Sequence, residues 1–284
     1  MERNEDRSRN VTGVLMCPPD FFTVRDVKNP FMRVDAIVDR DAAARQWKAL
    51  ADTFARLGMT PHAVEPAADL EDMVFAANQA FIGAGKLHAR FAVPSRMRYA
   101  SRQREVPHYV AWLARNGFAI LDAGLGGEFL EGHGDLLAHP KRNLVWAGHD
   151  FRSSEEGVAR FARAVDAEGL TVAPLQLVDE VFYHLDTCFA PLSEDAAIVY
   201  PGALSAASLD ALRRGWTRLH EISRDDALRF VCNGVAVNGR FIVSYLTPAL
   251  KRILDREELT AEIVDVSEFE KAGGSVFCLK VLLP

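Results

Sequence analysis

Five amphipathic helical stretches, each followed by short strands, constrain the fold of this chain more than any other feature. Apolar residues recur at helical spacing in each stretch, as Trp47, Leu50 and Phe54 do in the first. The five stretches are 40–57, 101–116, 154–167, 206–218 and 247–257. A glycine follows each of the first three, where helices commonly end.

Each predicted helix is followed by a β-like run and then by a second apolar strand that carries a polar residue. These second strands are predicted over residues 72–78, 129–135, 182–186, 230–233 and 276–278. Their polar positions are Asn78, Asp135, Asp186, Asn233 and Cys278, which lie 57, 51, 47 and 45 residues apart. The chain therefore contains an internal repeat of roughly 50 residues.

Repeats that pair strands with a helix can close around an axis. Five of them would occupy residues 11–284, so we predict a single α/β propeller domain over that range, preceded by a flexible, charged segment 1–10. The equivalent strands would converge at the centre of the ring. The polar residues that would share one cavity there are Asn78, Glu131, Asp135, His184, Asp186 and Cys278. The alternative is a generic α/β fold in which the periodicity arises by chance.

Composition excludes several classes of partner. A net charge of -6 provides no basic surface for nucleic acid, and no run approaches the roughly 18 apolar residues of a membrane helix. The N-terminus lacks the apolar segment of a secretory signal. We therefore expect the four cysteines, none of them in a CxxC pair, to be reduced thiols in the cytoplasm.

Cys278, which follows a Gly-Gly pair, is a candidate nucleophile if His184 lies beside it. A free thiol has a pKa of about 8.5 and needs activation, and a histidine can carry its proton between steps. A flat guanidinium cation is held best by carboxylates, which here are Glu131, Asp135 and Asp186. No metal site is predicted, because His184 and Asp186 lack the second histidine or thiol pair that zinc favours. No organic cofactor is indicated.

Each of these residues also has a structural interpretation. A lone cysteine on an apolar strand is commonly a small core residue. His184 follows two aromatic residues and could belong to the core, and Asp135 could cap its own turn. Arginines such as Arg96 and Arg152 are more often surface residues than ligands of a carboxylate.

Taken together, the motifs resemble the guanidino-modifying, or pentein, superfamily, which includes arginine deiminases, dimethylarginine dimethylaminohydrolases, amidinotransferases and arginine dihydrolases. The resemblance covers almost the whole chain. The motifs that carry it, in order, are Met16–Asp20 with Asn29–Met32, Asp72–Asn78, Ser95–Arg96, Glu131–Asp135, Phe182–Cys188 and Ala272–Cys278.

The resemblance implies a five-bladed α/β propeller of ββαβ units and a covalent mechanism. Cys278 would attack the guanidinium carbon and form an S-alkylthiouronium, which water activated by His184 would hydrolyse. Glu131 would orient His184 or the substrate. The implied substrate-binding residues are Asn78 and Asp186 at the guanidinium nitrogens, Arg96, Arg152 and Asn29 at the amino-acid end, and Asp72, Phe75 and Asp135 elsewhere in the site.

Asn78 is the residue that bears on substrate choice. Deiminases carry Asp at this position, and dimethylarginine hydrolases carry Glu-Asp where this chain has Ala77-Asn78. Asn is the pattern of arginine dihydrolases, which convert arginine to ornithine, carbon dioxide and two ammonia molecules. We therefore expect this activity on a small guanidino substrate. The alternatives are hydrolysis of dimethylarginine or another guanidine or amidine-like compound, amidino transfer, and a non-catalytic binding propeller. A homo-oligomer is possible.

Overall fold

The structure is a computed structural model that describes residues 11–33 and 35–284, so the predicted flexible segment 1–10 lies outside the described residues. The described chain forms fifteen short strands. They are β1 (Gly13–Met16), β2 (Thr60–Ala63), β3 (Ala80–Gly83), β4 (Phe91–Pro94), β5 (Ala119–Ile120), β6 (Leu136–Ala138), β7 (Leu144–His149), β8 (Thr171–Gln176), β9 (Phe189–Pro191), β10 (Ala196–Val199), β11 (Arg218–Glu221), β12 (Val235–Val237), β13 (Arg240–Val243), β14 (Thr260–Ile263) and β15 (Val281–Leu283).

Helices connect these strands. The α-helices of the described residues are α1 (Arg40–Arg56), α2 (Ala100–Gln103), α3 (Val106–Arg115), α4 (Gly132–Asp135), α5 (Glu155–Asp166), α6 (Ala206–Gly215), α7 (Arg224–Leu228), α8 (Pro248–Arg256) and α9 (Ser267–Glu270). The predicted stretch 101–116 is divided between α2 and α3, because Pro107 lies in the first turn of α3, where proline favours a new helix start. The stretch 206–218 ends earlier than predicted, at Gly215.

The strands assemble into five three-stranded sheets, ordered β15-β1-β2, β3-β4-β5, β6-β7-β8, β9-β10-β11 and β12-β13-β14. In each sheet the middle strand pairs antiparallel with one neighbour and parallel with the other. A long helix joins the two parallel strands, which need such a crossover. The predicted ββαβ unit is confirmed.

The first unit combines both ends of the described chain. Strand β15 pairs antiparallel with β1, so that Leu15 lies opposite Val281. The turn that carries Cys278 comes just before β15, as the turn that carries Asn78 comes just before β3. Closure by the C-terminal strand therefore places the cysteine in the same relation to its sheet as the other polar motifs.

Helix α5 illustrates why these sequences form helices against the sheets. The Ser154 side chain accepts a hydrogen bond from the Gly157 backbone N–H at 3.1 Å and caps the helix, and two glutamates occupy the first turn. Val158, Phe161 and Val165 recur at helical spacing and are buried. The apolar face is thereby removed from water, and this burial stabilises the helix in its unit.

The five predicted second strands are wrong as strands. Their polar residues lie on short turns that precede the inner strands of the sheets. These turns are Glu71–Val74 and Ala76–Asn78, α4, Leu185–Thr187, Val231–Asn233, and an irregular turn over residues 276–278. Apart from the partly buried Phe277, the apolar residues of the turns are buried, and a short buried turn has the same composition as a short buried strand.

Backbone hydrogen bonds between neighbouring turns replace the pairing that strands would have made. The Ala77 N–H donates to the Cys278 carbonyl at 3.1 Å, and the Phe277 N–H donates to the Asn233 carbonyl at 2.8 Å. Buried backbone groups need such partners. The turns therefore meet around the centre of the molecule and bring their side chains together.

Leu212→Ala should unfold the protein more easily, because Leu212 of α6 is fully buried and truncation leaves a cavity. We expect a loss of about 2–5 kcal/mol in the free energy of unfolding, measured by urea denaturation. Leu87→Ala makes the same chemical change at a side chain that is 66% exposed. It should change stability by less than about 0.5 kcal/mol, and equal losses for the two variants would contradict the packing described.

Candidate active site

The Cys278 thiol is buried at the end of a turn that only glycine permits. Gly273 has a φ of 84°, and a Cβ atom on Gly274 would come within 2.5 Å of the Phe75 ring. Cys278 Sγ donates to Asp186 Oδ2 at 3.3 Å and accepts from Asn233 Nδ2 at the same distance of 3.3 Å. The thiol is thus held between a carboxylate and an amide.

This environment keeps the resting thiol protonated. Burial raises the pKa of Cys278 well above its ordinary value, and the Asp186 carboxylate raises it further. Burial likewise raises the pKa of Asp186 to about 7. A cation bound beside Asp186 would reverse these effects, since a nearby positive charge favours both the thiolate and the carboxylate.

His184 is held by a buried carboxylate. Its Nε2 lies 2.9 Å from Glu131 Oε2, and the same oxygen accepts from Arg152 Nη1 at 2.7 Å. Burial alone would raise the pKa of Glu131, but Arg152 and His184 hold it well below its ordinary range. Glu131 is therefore ionised, fixes the orientation of the ring and can stabilise the imidazolium form.

Asp135 lies behind the site, where the sequence predicted a substrate contact. Its Oδ2 accepts from the Ser153 hydroxyl at 2.7 Å and the Ser153 N–H at 3.2 Å. Its Oδ1 accepts from the Leu185 N–H at 3.1 Å. Both carboxylate oxygens are thereby occupied, and Asp135 positions the turn that carries His184 and Asp186.

Asn233 is the polar position of the fourth repeat, but the sequence did not predict that it belongs to the site. Its Oδ1 accepts from the N–H groups of Ser275 at 3.0 Å and Cys278 at 3.3 Å, while its Nδ2 faces the sulfur. The signal was present in the sequence, because Asn233 is the polar position of the fourth repeat. It holds the cysteine turn and provides a hydrogen-bond donor for a thiolate.

A small buried cavity of about 10 Å³ adjoins the thiol. It is lined by Lys28, Asn29, Met32, Asp72, Phe75, Asn78, Arg102, Arg152, Tyr183, His184, Ala272, Gly274 and Cys278. The structure thus brings most of the predicted residues together. It adds Lys28, Arg102 and Tyr183, which were not predicted to belong to the site. Tyr183 lies within the Phe182–Cys188 motif and Lys28 directly precedes Asn29, whereas Arg102 belongs to none of the motifs.

Arg102 is a second buried arginine that lines the cavity. It donates through Nη1 to Asn78 Oδ1 at 3.0 Å, and its Nε and Nη2 each lie 3.3 Å from Glu105 Oε2. The guanidinium centre lies 6.0 Å from the centroid of the Phe75 ring. The only sign of this cluster in the sequence is an arginine three residues before a glutamate, a spacing at which the two side chains of a helix can pair.

The Lys28 ammonium forms an ion pair with Asp72, the carboxylate that was predicted to bind substrate. Its Nζ lies 3.0 Å from Asp72 Oδ2 and 3.3 Å from Glu71 Oε1, and both Lys28 and Asp72 are buried. Asp72 Oδ1 has no hydrogen-bond partner in the described part of the chain, nor has Asp186 Oδ1. These buried oxygens are free to accept hydrogen bonds from a ligand.

Arg152 and Asn29 line the cavity in different roles. The Arg152 guanidinium lies between the Tyr99 and Tyr183 rings, 4.8 and 4.9 Å from their centroids. The Asn29 side chain donates to the Ala272 carbonyl at 3.0 Å and accepts from backbone N–H groups of its own turn. Asn29 therefore joins the N-terminal segment to the cysteine turn, and its predicted contact with substrate finds no support in this geometry.

Arg96 lies outside the cavity, contrary to the prediction that it holds the amino-acid end of the substrate. Its guanidinium donates to the backbone carbonyls of Gly127 and Glu128, the latter at 3.4 Å, and covers the Phe129 ring.

Within residues 11–33 and 35–284, no group of three or more His, Cys, Asp or Glu side chains is arranged to hold a metal ion.

A family model described as N,N dimethylarginine dimethylhydrolase, eukaryotic, matches residues 19–282. This chain belongs to the dimethylarginine dimethylaminohydrolase family. It is 36% identical over 269 residues to the bifunctional arginine dihydrolase/ornithine cyclodeaminase ArgZ of Synechocystis sp., covering 94% of this chain. The chain spans 37% of the length of ArgZ.

A second member of the family is similarly close. The N(G),N(G)-dimethylarginine dimethylaminohydrolase of Mycobacterium tuberculosis is 35% identical over 272 residues, which cover 96% of this chain and 86% of that protein. Among solved structures, the N-terminal domain of ArgZ bound to its product has a TM-score of 0.88 at 34% identity, covering 95% of this chain and 97% of that one. The predicted superfamily and five-unit propeller are confirmed. A variant of the same ArgZ domain is known covalently bound to a reaction intermediate.

Arg152→Met should lower kcat/KM for a guanidino substrate by at least about tenfold, because the change removes the partner of Glu131 and a cation that lines the cavity. Arg96→Met makes the same change outside the cavity and should leave kcat/KM within about threefold of wild type. Steady-state ammonia release by both purified variants measures the contrast. A larger loss for Arg96→Met than for Arg152→Met would show that this assignment is reversed.

Proposed function

We propose that the protein is a cysteine hydrolase that cleaves guanidino C–N bonds and acts as an arginine dihydrolase. The observation that carries the proposal is the arrangement around one buried cavity. The Cys278 thiol contacts the Asp186 carboxylate at 3.3 Å, and His184, paired with Glu131, lines the same space. A ring of acids around a thiol suits a cationic substrate better than a peptide.

The first half-reaction follows from these contacts. A guanidinium bound beside Asp186 lowers the pKa of the thiol, whose proton passes to His184. The Cys278 sulfur then forms a bond to the guanidinium carbon. The C–N bond breaks, its electron pair leaves with the nitrogen, and His184 donates the proton that makes ammonia. Glu131 stabilises the imidazolium form that supplies this proton. The carbon remains attached to sulfur as a thiouronium.

Water completes the cycle. His184, now neutral, takes a proton from the water as its oxygen bonds to the carbon, and the carbon–sulfur bond then breaks to release a ureido product. Repetition on the ureido carbon releases a second ammonia and leaves a carbamate, which decomposes to carbon dioxide and ornithine. Arginine and two waters thus yield ornithine, carbon dioxide and two ammonia molecules.

The orientation of the Asn78 amide supports the second round. Arg102 offers only donors, so the amide oxygen of Asn78 must face it, as the 3.0 Å contact shows. The Nδ2 group is then the free one, and it has no partner in the part of the chain that the structure describes. Guanidinium N–H groups are themselves donors, so Nδ2 cannot hold them in the way that the sequence predicted for Asn78. It can donate a hydrogen bond to the oxygen of a ureido group.

Substrate entry requires the cavity to open. Its volume of about 10 Å³ accommodates a single water, which occupies about that much space by the same measure. The Lys28 ammonium also occupies Asp72, at 3.0 Å. We propose that the segment from Lys28 to Met32 moves when substrate binds, and that a substrate amino group replaces Lys28 at Asp72.

Hydrolysis of dimethylarginine is the second candidate function. Membership of the dimethylarginine dimethylaminohydrolase family and the 35% identity to the Mycobacterium tuberculosis enzyme favour it. Its products, dimethylamine and citrulline, distinguish it from the first.

Among the described residues no helix has both the length and the apolar character needed to cross a membrane. The cytoplasmic location and the homo-oligomer stay predictions.

Cys278→Ala should reduce ammonia release from arginine to less than about one-thousandth of the wild-type rate, because the variant has no nucleophile. Cys17→Ala removes another buried thiol, outside the residues lining the cavity, and should retain activity. Mass spectrometry of trapped intermediate should show an adduct on the active proteins only. Turnover by Cys278→Ala at the wild-type rate would eliminate the proposed mechanism.

Asn78→Asp should convert a dihydrolase into an enzyme that stops at the ureido product. Aspartate still accepts from Arg102, but it removes the donor assigned to the ureido oxygen. Loss of this hydrogen bond should raise the ratio of citrulline to ornithine at least about tenfold. Product analysis by liquid chromatography measures that ratio. If it does not change, Asn78 has no part in the second hydrolysis.

A further inference from the structure

A second and much larger cavity lies at the centre of the ring, beyond the cysteine turn. Its volume is about 420 Å³, within the roughly 300–1,000 Å³ of small-molecule sites. Residues of all five inner strands line it, from β3, β6, β9, β12 and β15. We call it the rear cavity. Cys278 lines the active-site cavity, and Lys280, two residues later, lines the rear cavity.

Lys280 is the unusual feature of the rear cavity. Its side chain is only 2% exposed, and its Nζ lies 3.1 Å from the centroid of the Phe277 ring, which lines the same space. No carboxylate within residues 11–33 and 35–284 forms an ion pair with it. A buried ammonium ordinarily has a hydrogen-bonded anionic partner. Asp186 attracts this charge without forming an ion pair with it, and the cavity that Lys280 lines has room for a directly paired anion.

The other lining residues include no anionic side chain that could pair with Lys280. No aspartate or glutamate is among them, and most are aliphatic or aromatic. Lys141 also lines the cavity, but its side chain is 69% exposed and its Nζ lies 3.3 Å from Glu194 Oε2. His133 is fully engaged, since its Nε2 accepts from the Ile82 N–H at 3.0 Å and its Nδ1 donates to the Leu136 carbonyl at 3.1 Å. Burial and the charge of Lys280 lower the pKa of His133 to about 3, so the ring is neutral.

We propose that the rear cavity is a binding site for a small hydrophobic monocarboxylate, whose carboxylate pairs with the Lys280 ammonium while its apolar body packs against the inner strands. A single charge with an apolar body is the ligand that matches one buried cation in apolar surroundings. The proposal is independent of the proposed hydrolase function.

Binding should be accompanied by proton uptake. Burial lowers the pKa of Lys280 to about 7, so a fraction of the protein carries a neutral amine at that pH. A bound carboxylate favours the ammonium form and raises this pKa. Calorimetric titrations in buffers of different ionisation enthalpy should therefore report a net uptake of protons at pH 7.5.

Isothermal titration calorimetry of the full chain with hexanoate tests the site. We expect a Kd below about 1 mM for the wild type and at least tenfold weaker binding of hexanamide, which has the same shape without the charge. Lys280→Met, which keeps the length of the side chain, should weaken hexanoate binding at least tenfold. Cys278→Ala, altered in the other cavity, should bind hexanoate as the wild type does.

Several results would overturn the proposal. These are no binding of hexanoate up to about 20 mM, equal binding of hexanamide, undiminished binding by Lys280→Met, or displacement of hexanoate by arginine. Ala236→Phe provides a second variant if Lys280→Met does not fold. It fills the rear cavity from β12 without altering Lys280 and should abolish binding, and retained affinity in that variant would place hexanoate elsewhere.

Discussion

A ring of hydrogen bonds between the five central turns is the constraint on which the rest of the structure depends. Four of the contacts join neighbouring turns: Ala77 with Cys278, Phe277 with Asn233, Asn233 with Asp186, and Leu185 with Asp135. The fifth joins His133 of α4 to Ile82 of β3, the strand that follows the first turn. The groups are buried, so each bond that is lost leaves a donor or acceptor unsatisfied. The ring therefore fixes at once the relative position of the units and of the side chains that face the cavity.

Charge is buried at this centre, and it is tolerated because it is paired. Glu131 lies between Arg152 and His184, and Arg102 lies against Glu105. An isolated charge in such a place would cost several kcal/mol, whereas a paired one is fixed in orientation. Two of the buried atoms that lack a hydrogen-bond partner among the described residues, Asp186 Oδ1 and Asn78 Nδ2, lie on residues beside the thiol. The orientations of the thiol, His184 and Glu131 are thus fixed by contacts within the protein itself.

Much of this could be predicted from the sequence, for identifiable reasons. The helices were found because their apolar faces repeat every turn. Cys278, His184 and Glu131 could be proposed as site residues because each belongs to a short motif whose residues are neighbours in the chain. The central turns were mistaken for strands because full burial removes the alternation that distinguishes a strand. Arg102 was not predicted to line the cavity, since which arginine reaches it depends on the path of the chain between β4 and α3.

The sequence by itself determined the repeat, the order of the motifs and the residue types that meet at the centre, because these depend on local periodicity and on side-chain chemistry. Only the tertiary structure decided what each polar side chain contacts. Asp135 and Asn29 form hydrogen bonds that hold the turns, and Lys28 is paired with Asp72. Lys280 lines a cavity and is not paired with a carboxylate of the described chain. These partners are far apart in the sequence. Their contacts depend on how the chain folds, which the spacing of residues along the sequence does not specify.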